Sequence, residues 1–400
     1  MSNLRLGIEV LRQTPSLAKD WGNCALLCNQ ASVADDFSPS WYICQDILGK
    51  RLAGLFSPQH GFEATVQDNM IETANSIHIP TGLPIYSLYQ QVREPTTEML
   101  RGLDTLIVDL QISGTRVYTF KYTLAGMLRA AVKHGLQVVV LDRPNPLGGE
   151  VLEGRVLDLA VRSFVGEYPL PMRHGLTVGE FAQFCNREVG AQLQVISMHA
   201  WQPAKLWSEL GREWVLTSPN LPNFSSLLLY CGTVIFEGTN ISEGRGTCLP
   251  FQLIGAPFLN SRALAARTAQ LYAAAETPIA NGYFLRPTQF MPVAQKWQQQ
   301  VCEGVQVHWD NKHSMRPFTL ALALLRACIE LGADEFAWKQ PPYEYEYHKL
   351  PIQLLLGSTA AAELLTADKF ACADAHWHAG LDAYRRKVGS SLLYQRQMLV

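Results

Sequence analysis

The sequence predicts an α/β fold: a Rossmann-like, doubly wound and mainly parallel sheet, followed by a second, smaller α+β domain. Four short segments in the first 150 residues are continuously apolar, as in parallel strands that are buried on both faces. Helical patterns alternate with these segments, which is the order of βαβ units. The length of 400 residues is also more than one ordinary core accommodates, so two domains are expected.

The individual elements follow from these patterns in chain order. The predicted strands of the first half occupy residues 24–28 (CALLC), 52–56 (LAGLF), 105–110 (TLIVDL), 137–141 (QVVVL) and 193–198. The predicted helices occupy residues 4–19, 39–48, 96–101, 118–134 and 177–189. The last of these helices begins with a capping box, because Thr177 is followed three residues later by Glu180.

We place the domain boundary near residue 210, with a Rossmann-like domain at residues 1–210 and a smaller α+β domain at residues 211–400. In the second half, helices are predicted at residues 261–276, 316–331, 360–365 and 372–388, and a strand at residues 304–309. The segment YEYEYHKL (residues 343–350) alternates tyrosine with acidic residues at strand period. It is predicted to be an edge strand with a solvated face.

Composition and charge exclude several classes of partner. Lys and Arg number 33 against 35 for Asp and Glu, a net charge of −2, and no basic stripe suited to a nucleic acid is present. Residues 1–9 (MSNLRLGIE) lack the pattern of a signal peptide, and no apolar segment has the length of a membrane span. The nine cysteines are scattered without CxxC pairs, as expected for reduced thiols. We therefore expect a cytoplasmic protein with neither a nucleic acid nor a membrane as partner.

The sequence also lacks the common signatures of cofactor and metal sites. No predicted strand is followed by a glycine-rich dinucleotide or triphosphate loop, and no GxSxG nucleophile turn is present. The densest histidine pair, His376 and His378, is two residues apart on a predicted helix and so faces different directions. These residues therefore signal neither a nucleotide cofactor nor a metal site.

Polar residues follow four of the apolar segments, at the point where each predicted strand ends. The clusters contain Asn29 after the first strand, Gln59 and His60 after the second, Asp109, Gln111, Arg116 and Tyr118 after the third, and Asp142 and Asn145 after the fourth. Ligands of open parallel sheets bind beyond the carboxyl ends of the strands, so these clusters predict a site. Amide, carboxylate, arginine and aromatic side chains in one site are typical of a carbohydrate-binding site, because they can bond sugar hydroxyls and stack on the apolar faces of a sugar ring. Glycoside hydrolysis typically requires two carboxyl groups, and composition leaves open which of the nearby acids supply them.

Seven segments then appear in an order that resembles a known family. They are SPQHGF (57–62), TGLPIYSLY (81–89), DLQISGTRVYT (109–119), LDRPNPLGG (141–149), FVGEYPLPMRHGLTVGE (164–180), SPNLP (218–222) and EGTNISEGRGT (237–247). This set resembles the NamZ-type exo-β-N-acetylmuramidases, glycoside hydrolase family 171, from about residue 5 to the C-terminus. The resemblance implies a Rossmann-like domain, a smaller domain and a cleft between them. It also implies release of N-acetylmuramic acid from the non-reducing ends of peptidoglycan fragments, with no metal and no organic cofactor. The implied substrate is a small carbohydrate or muropeptide.

Two positions depart from the family pattern. Members commonly carry a glutamate where this chain has Gln59 and an aspartate where it has Ile112. Glutamine is isosteric with glutamate but cannot donate a carboxylic proton. Glu63, Asp68 and Glu72 follow closely and are candidates for a relocated acid. The alternative hypothesis is a catalytically altered or inactive protein that binds sugars or muropeptides.

We assign expected roles to residues of these clusters and motifs. Catalytic roles are expected for His60, Glu63, Asp109, Tyr118 and Glu237. Substrate contacts are expected for Asn29, Gln59, Gln111, Arg116, Asp142, Asn145, His174, Asn220, Asn240, Glu243 and Arg245. Arg116 is the expected partner of the lactyl carboxylate of muramic acid, because a guanidinium binds carboxylates with two parallel bonds.

Structural alternatives remain for several of these residues. His60 could bond the backbone of its own loop. Asp109 could cap a neighbouring helix, and Arg116 could pair with Asp109 or Asp142. Arg143 is expected to have a structural role, in a rigid loop held by an internal salt bridge.

Overall fold

The computed structural model describes residues 3–68, 70–274, 282–309 and 314–399. Its strands are β1 (Cys24–Leu27), β2 (Leu52–Ser57), β3 (Ser76–Ile77), β4 (Pro84–Ser87), β5 (Thr105–Val108), β6 (Gln137–Leu141), β7 (Gln192–Ile196), β8 (Leu253–Ala256), β9 (Tyr283–Phe290) and β10 (Cys302–Trp309). Its helices are α1 (Gly7–Gln13), α2 (Ser40–Leu48), α3 (Phe120–His134), α4 (Val178–Val189), α5 (Phe224–Thr233), α6 (Ser261–Ala273), α7 (Pro317–Gly332), α8 (Pro351–Leu356), α9 (Ala361–Thr366) and α10 (Leu381–Val388). Short 3-10 turns connect several of these elements.

The larger sheet has seven strands in the order β3-β4-β2-β1-β5-β6-β7. All neighbouring pairs are parallel except β3 with β4. The chain adds β2 on one side of β1 and later returns to add β5 on the other side, so the sheet is doubly wound. Because β1, β5 and most of β6 are buried on both faces, these strands consist of apolar residues without alternation.

A second sheet of three antiparallel strands, in the order β8-β10-β9, belongs to the second half of the chain. Helices α6 and α7 pack against each other beside it, and α5 packs on α7. This confirms the predicted fold class of an α/β sheet with a smaller α+β part.

The C-terminal residues return to the first half of the chain. The Arg396 guanidinium forms an ion pair with Glu180 at 2.6 Å, and both side chains are fully buried. The Tyr394 hydroxyl donates to the carboxylate of Asp142 at 2.7 Å. The last residues therefore contact the first half of the chain, and the division at residue 210 stays a prediction.

Most predicted elements are present within one to three residues of their predicted ends. The capping box of α4 is confirmed, because the Thr177 hydroxyl accepts from the backbone N–H of Glu180 and the Glu180 carboxylate accepts from that of Thr177. The helix predicted at residues 96–101 is wrong, since turns occupy this segment up to Gly102, at φ +77°. The predicted end of α6, at residue 276, lies outside the described residues.

The edge strand predicted at residues 343–350 is also wrong. Tyr343 and Glu346 exchange backbone hydrogen bonds at 2.9 and 3.0 Å, which closes a tight turn. Glu344 and Tyr345 between them have positive φ values of 46° and 67°, so the chain reverses where a strand would continue. The turn buries Tyr343 and Glu344 instead of leaving one face in solvent.

Among the described residues, no helix combines the length and the apolarity needed to cross a bilayer.

Candidate active site

A cleft lies at the carboxyl end of β2 and the start of α3. Residues from both halves of the chain form its wall. They are Gln59, His60, Val117, Tyr118, Thr119, Val165, Ser218, Asn220, Leu221, Tyr230, Glu237, Arg245, Phe251 and Glu344. Six of the sixteen residues predicted for the site are in this set, and all of the lining carboxyl groups come from the second half of the chain.

Gln59 occupies the centre of a chain of hydrogen bonds on one wall. The Thr119 hydroxyl donates to its Oε1 at 2.6 Å, and its Nε2 donates to Oε1 of Glu344 at 3.0 Å. The amide is buried, at 4% exposure. The amide therefore bridges the two side chains, with Oε1 on the Thr119 hydroxyl and Nε2 on the Glu344 carboxyl group.

Glu344 is the functional candidate that sequence reasoning missed. Both of its carboxylate oxygens accept hydrogen bonds, Oε1 from Gln59 and Oε2 from the Tyr89 hydroxyl at 2.8 Å. Burial raises the pKa of Glu344, and the neighbouring carboxylate of Glu237 adds to this, although the hydrogen bonds from Tyr89 and Gln59 act in the opposite direction. The signal in the sequence was the Pro341–Pro342 pair, which predicts a turn immediately before the two buried residues.

Glu237 has a different electrostatic environment in the same cleft. Its Oε1 accepts from the Arg245 guanidinium, and its Oε2 accepts from the Tyr343 hydroxyl at 2.6 Å. Burial acts to lower the pKa of Arg245, but the carboxylates of Glu237 and Glu243 outweigh it, and the net change is upward. Arg245 therefore stays cationic beside Glu237.

The loop that carries Arg245 is held from behind by a second ion pair. The Lys296 ammonium bonds Glu243 at 2.7 Å and also donates to the backbone carbonyl oxygens of Phe236 and Ile241. Burial acts to raise the pKa of Glu243, but Lys296 and Arg245 outweigh it and hold the pKa below its usual range. Glu243 is thus a residue that supports the loop, and it is not among the lining side chains.

The remaining predicted residues of the cleft are His60, Tyr118 and Asn220. Nδ1 of His60 lies 2.7 Å from the carbonyl oxygen of Val66, so the ring bonds its own loop, and burial lowers its pKa to about 4. The imidazole is therefore neutral at ordinary pH. Burial raises the pKa of the Tyr118 hydroxyl. Nδ2 of Asn220 donates to the carbonyl oxygen of Gln67 at 3.2 Å.

The structure does not bring Asp109 to the cleft. Its carboxylate is fully buried below the sheet edge and bonds Nε of Arg143 at 2.5 Å and Nη2 at 2.7 Å. The Ser40 hydroxyl at the start of α2 donates to the same carboxylate. The structural role expected for Arg143 is therefore present, but its partner is Asp109 and not its neighbour Asp142.

Three other strand-end and loop residues act within the scaffold. Asp142 accepts from the backbone N–H of Gly179 at 2.7 Å and the Thr177 hydroxyl at 3.0 Å, and so caps α4. Asn145 bonds the backbone of Leu176 and Leu147, and Nδ1 of His174 accepts from the backbone N–H of Leu176. Burial raises the pKa of Asp142 to about 7 and holds that of His174 well below its usual range.

Arg116 is also outside the cleft. Its guanidinium is fully buried and donates to the backbone carbonyl oxygens of Arg155, Leu170 and Leu355. The lactyl carboxylate therefore has no access to Arg116 in this structure.

The other predicted contacts lie away from the lining residues. Asn29 bonds Thr217, and Asn240 bonds the backbone of Glu335 and Ala337. Glu63 is exposed to solvent. Gln111 lies with Arg143 on the wall of a separate cavity, which Phe37 and Trp207 also line. Among the described residues, no group of three or more His, Cys, Asp and Glu side chains is placed to hold a metal ion.

Comparison with known proteins assigns this arrangement to a family. The model of the N-terminal part of exo-β-N-acetylmuramidase NamZ matches residues 24–225, and the model of its C-terminal part matches residues 228–394. The chain belongs to the NamZ family. It is 38% identical over 313 residues to the peptidoglycan β-N-acetylmuramidase NamZ of Bacillus subtilis strain 168. The matched region covers 78% of this chain and 74% of that protein.

Two solved structures from Bacteroides fragilis NCTC 9343, both described as DUF1343 family proteins, resemble the whole chain. The first has a TM-score of 0.86 at 26% identity, and the superposition covers 99% of this chain and 100% of the Bacteroides chain. The second has a TM-score of 0.72 at 24% identity, with the same coverage, and shows the shared fold alone. The family models and the Bacillus relative agree with the resemblance inferred from the seven ordered segments.

Proposed function

We propose that this protein is an exo-acting glycoside hydrolase for β-N-acetylmuramic-acid-type amino sugars of peptidoglycan fragments. One observation supports this most: the cleft holds two buried carboxyl side chains, Glu237 and Glu344, in contrasting environments. Glu237 is paired with the Arg245 guanidinium, whereas burial raises the pKa of Glu344. Two carboxyl groups with divided roles are what most glycoside hydrolysis requires.

The lining of the cleft agrees with this substrate class. Amide, hydroxyl and phenol groups of Gln59, Ser218, Asn220 and Tyr118 can bond sugar hydroxyls, while the ring of Phe251 and the side chain of Leu221 offer apolar surface. The name of the Bacillus relative, with which the chain shares 38% identity, points to the same chemistry.

The test is hydrolysis of 4-nitrophenyl β-N-acetylmuraminide and of N-acetylmuramyl-N-acetylglucosamine. We expect release of N-acetylmuramic acid from both, and much slower release of N-acetylglucosamine from the matched glucosaminide, which lacks the lactyl group. A Glu237→Gln variant should lose at least 10²-fold in kcat, the lower end of the range for a catalytic carboxylate, and retain its fold by circular dichroism. Binding of N-acetylmuramic acid in calorimetry without any turnover would instead match the alternative of a sugar-binding protein.

A cytoplasmic location and a role in cell wall recycling belong to the same proposal. They imply short, imported muropeptides as substrates in place of intact wall. Fractionation of the native host followed by immunoblotting tests this location, and recovery in the envelope fraction would contradict it.

A further inference from the structure

Any glycosidase that works on an unactivated sugar must give a proton to the leaving oxygen. In this cleft Gln59 projects from the loop after β2, and its amide has no acidic proton to give. Its Nε2 points instead at a carboxyl oxygen of Glu344, 3.0 Å away. The carboxyl group that Gln59 contacts is therefore supplied by the turn at residues 343–346.

The surroundings of Glu344 suit a proton donor. Its side chain lines the cleft, yet the residue is only 3% exposed. The hydrogen bonds from Gln59 and from the Tyr89 hydroxyl hold the carboxyl group in one orientation. The charged and titratable groups that face it are Glu237, Arg93, Tyr89, Tyr230 and Tyr343.

We propose that Glu344 is the general acid of this protein and that Gln59 is a positioning residue that orients it. This inference rests on the proposed function and names the proton donor of the same cleft. The Thr119 hydroxyl extends the positioning chain, because it holds the Gln59 amide through Oε1 while Nε2 donates to the carboxyl group.

The step transfers one proton. As the bond between the anomeric carbon and the glycosidic oxygen breaks, its electron pair stays on that oxygen, and the Glu344 carboxyl proton neutralises it. The leaving sugar departs as an alcohol, and Glu344 is left as a carboxylate. One water molecule is consumed: its hydroxyl joins the anomeric carbon, and its remaining proton restores the Glu344 carboxyl in the net reaction.

The experiment compares two substrates in wild type and Glu344→Gln. Loss of a general acid costs 10²–10⁴-fold, so kcat/KM for N-acetylmuramyl-N-acetylglucosamine should fall by about this factor. 4-Nitrophenolate leaves without protonation, so kcat/KM for the aryl glycoside should fall far less. Glu346→Gln is the matched control, because the same change two residues away affects a carboxylate that does not line the cleft, and both activities should be unchanged.

The pH profile provides a readout that a structural role would not change. The acid must be protonated, so wild-type activity on the disaccharide should fall as pH rises through the pKa of Glu344, and Glu344→Gln should lack this limb. The bond from Gln59 favours the carboxylate, so Gln59→Ala should raise the pKa of Glu344 and move the limb to higher pH. Glu344→Asp keeps a carboxyl group and should keep the limb at reduced kcat, which covers the case in which Glu344→Gln does not fold.

The outcomes separate this inference from the proposed function. Equal losses on both substrates, with the limb retained in Glu344→Gln, would overturn the role of Glu344 while leaving the glycosidase intact. No turnover of either substrate by wild type would overturn the proposed function itself.

Discussion

Replacing Asp109 with asparagine should destabilise the fold and leave the chemistry of the folded enzyme nearly unchanged. The sequence gives this residue a catalytic role, but the structure places it in a buried ion pair with Arg143, whose side chain is 2% exposed. The Asp109→Asn variant leaves the Arg143 guanidinium without a counter-charge. It also places the NH₂ group of the new amide, a donor, against the groups that donate to Asp109 in wild type, Arg143 and Ser40. Breaking a buried pair of this kind costs about 3–5 kcal/mol. Since native domains are stable by about 5–15 kcal/mol, this is a large share of the total.

The assay is urea unfolding followed by tryptophan fluorescence, combined with kcat on the folded fraction at low urea. Asp35→Asn is the control, because Asp35 pairs with Arg12 at 3.3 Å on the surface, where such pairs contribute about 0–1 kcal/mol. A double variant, Asp109→Leu with Arg143→Met, should recover part of the lost stability, since no unpaired charge remains. An Asp109→Asn variant as stable as wild type but more than about 10²-fold slower would refute this reasoning and restore the catalytic role.

Three further predictions concern buried carboxyl groups. Tyr343→Phe removes the 2.6 Å bond to Glu237, so steady-state kinetics should show a lower kcat with KM little changed; an unchanged kcat would contradict this. Tyr89→Phe removes a bond that favours the Glu344 carboxylate, so the basic limb of the pH–rate profile should move to higher pH and not to lower pH. Asp142 has a pKa raised to about 7 by burial, so its contribution to stability is present below the ordinary aspartate range and is lost as pH rises toward 7. The free energy of unfolding should therefore fall by up to about 1.4 kcal/mol per pH unit over this interval, and Asp142→Asn should remove that part of the slope.

The larger sheet could be predicted because burial on both faces leaves a direct mark on the sequence. Continuous apolar runs predicted β1, β2, β5 and β6. Parallel pairing of these strands then places Gln59 and His60 at the carboxyl edge of the sheet, where the cleft lies. The glycine-punctuated loop from Glu237 to Arg245 contributes these two residues to the second wall, whereas its other polar side chains, Asn240 and Glu243, bond within the scaffold.

The same reasoning failed where a polar residue serves the scaffold. A buried ion pair such as Asp109 with Arg143 has the same sequence pattern as a strand-end ligand, and only packing distinguishes the two. Glu344 was missed for the opposite reason. Its alternation with tyrosines imitates a strand, whereas two consecutive residues at positive φ turn its side chain into the cleft. The spacing of residue types along the chain reveals neither which side chain a residue contacts in the folded protein nor where the backbone reverses direction.

The most direct test is a crystal structure with N-acetylmuramic acid bound to the Glu344→Gln variant. The sugar should lie in the cleft between residues 237 and 344, with its anomeric oxygen within hydrogen-bond distance of the side chain at position 344. Binding in the separate cavity beside Gln111 and Arg143, with the cleft empty, would contradict the account.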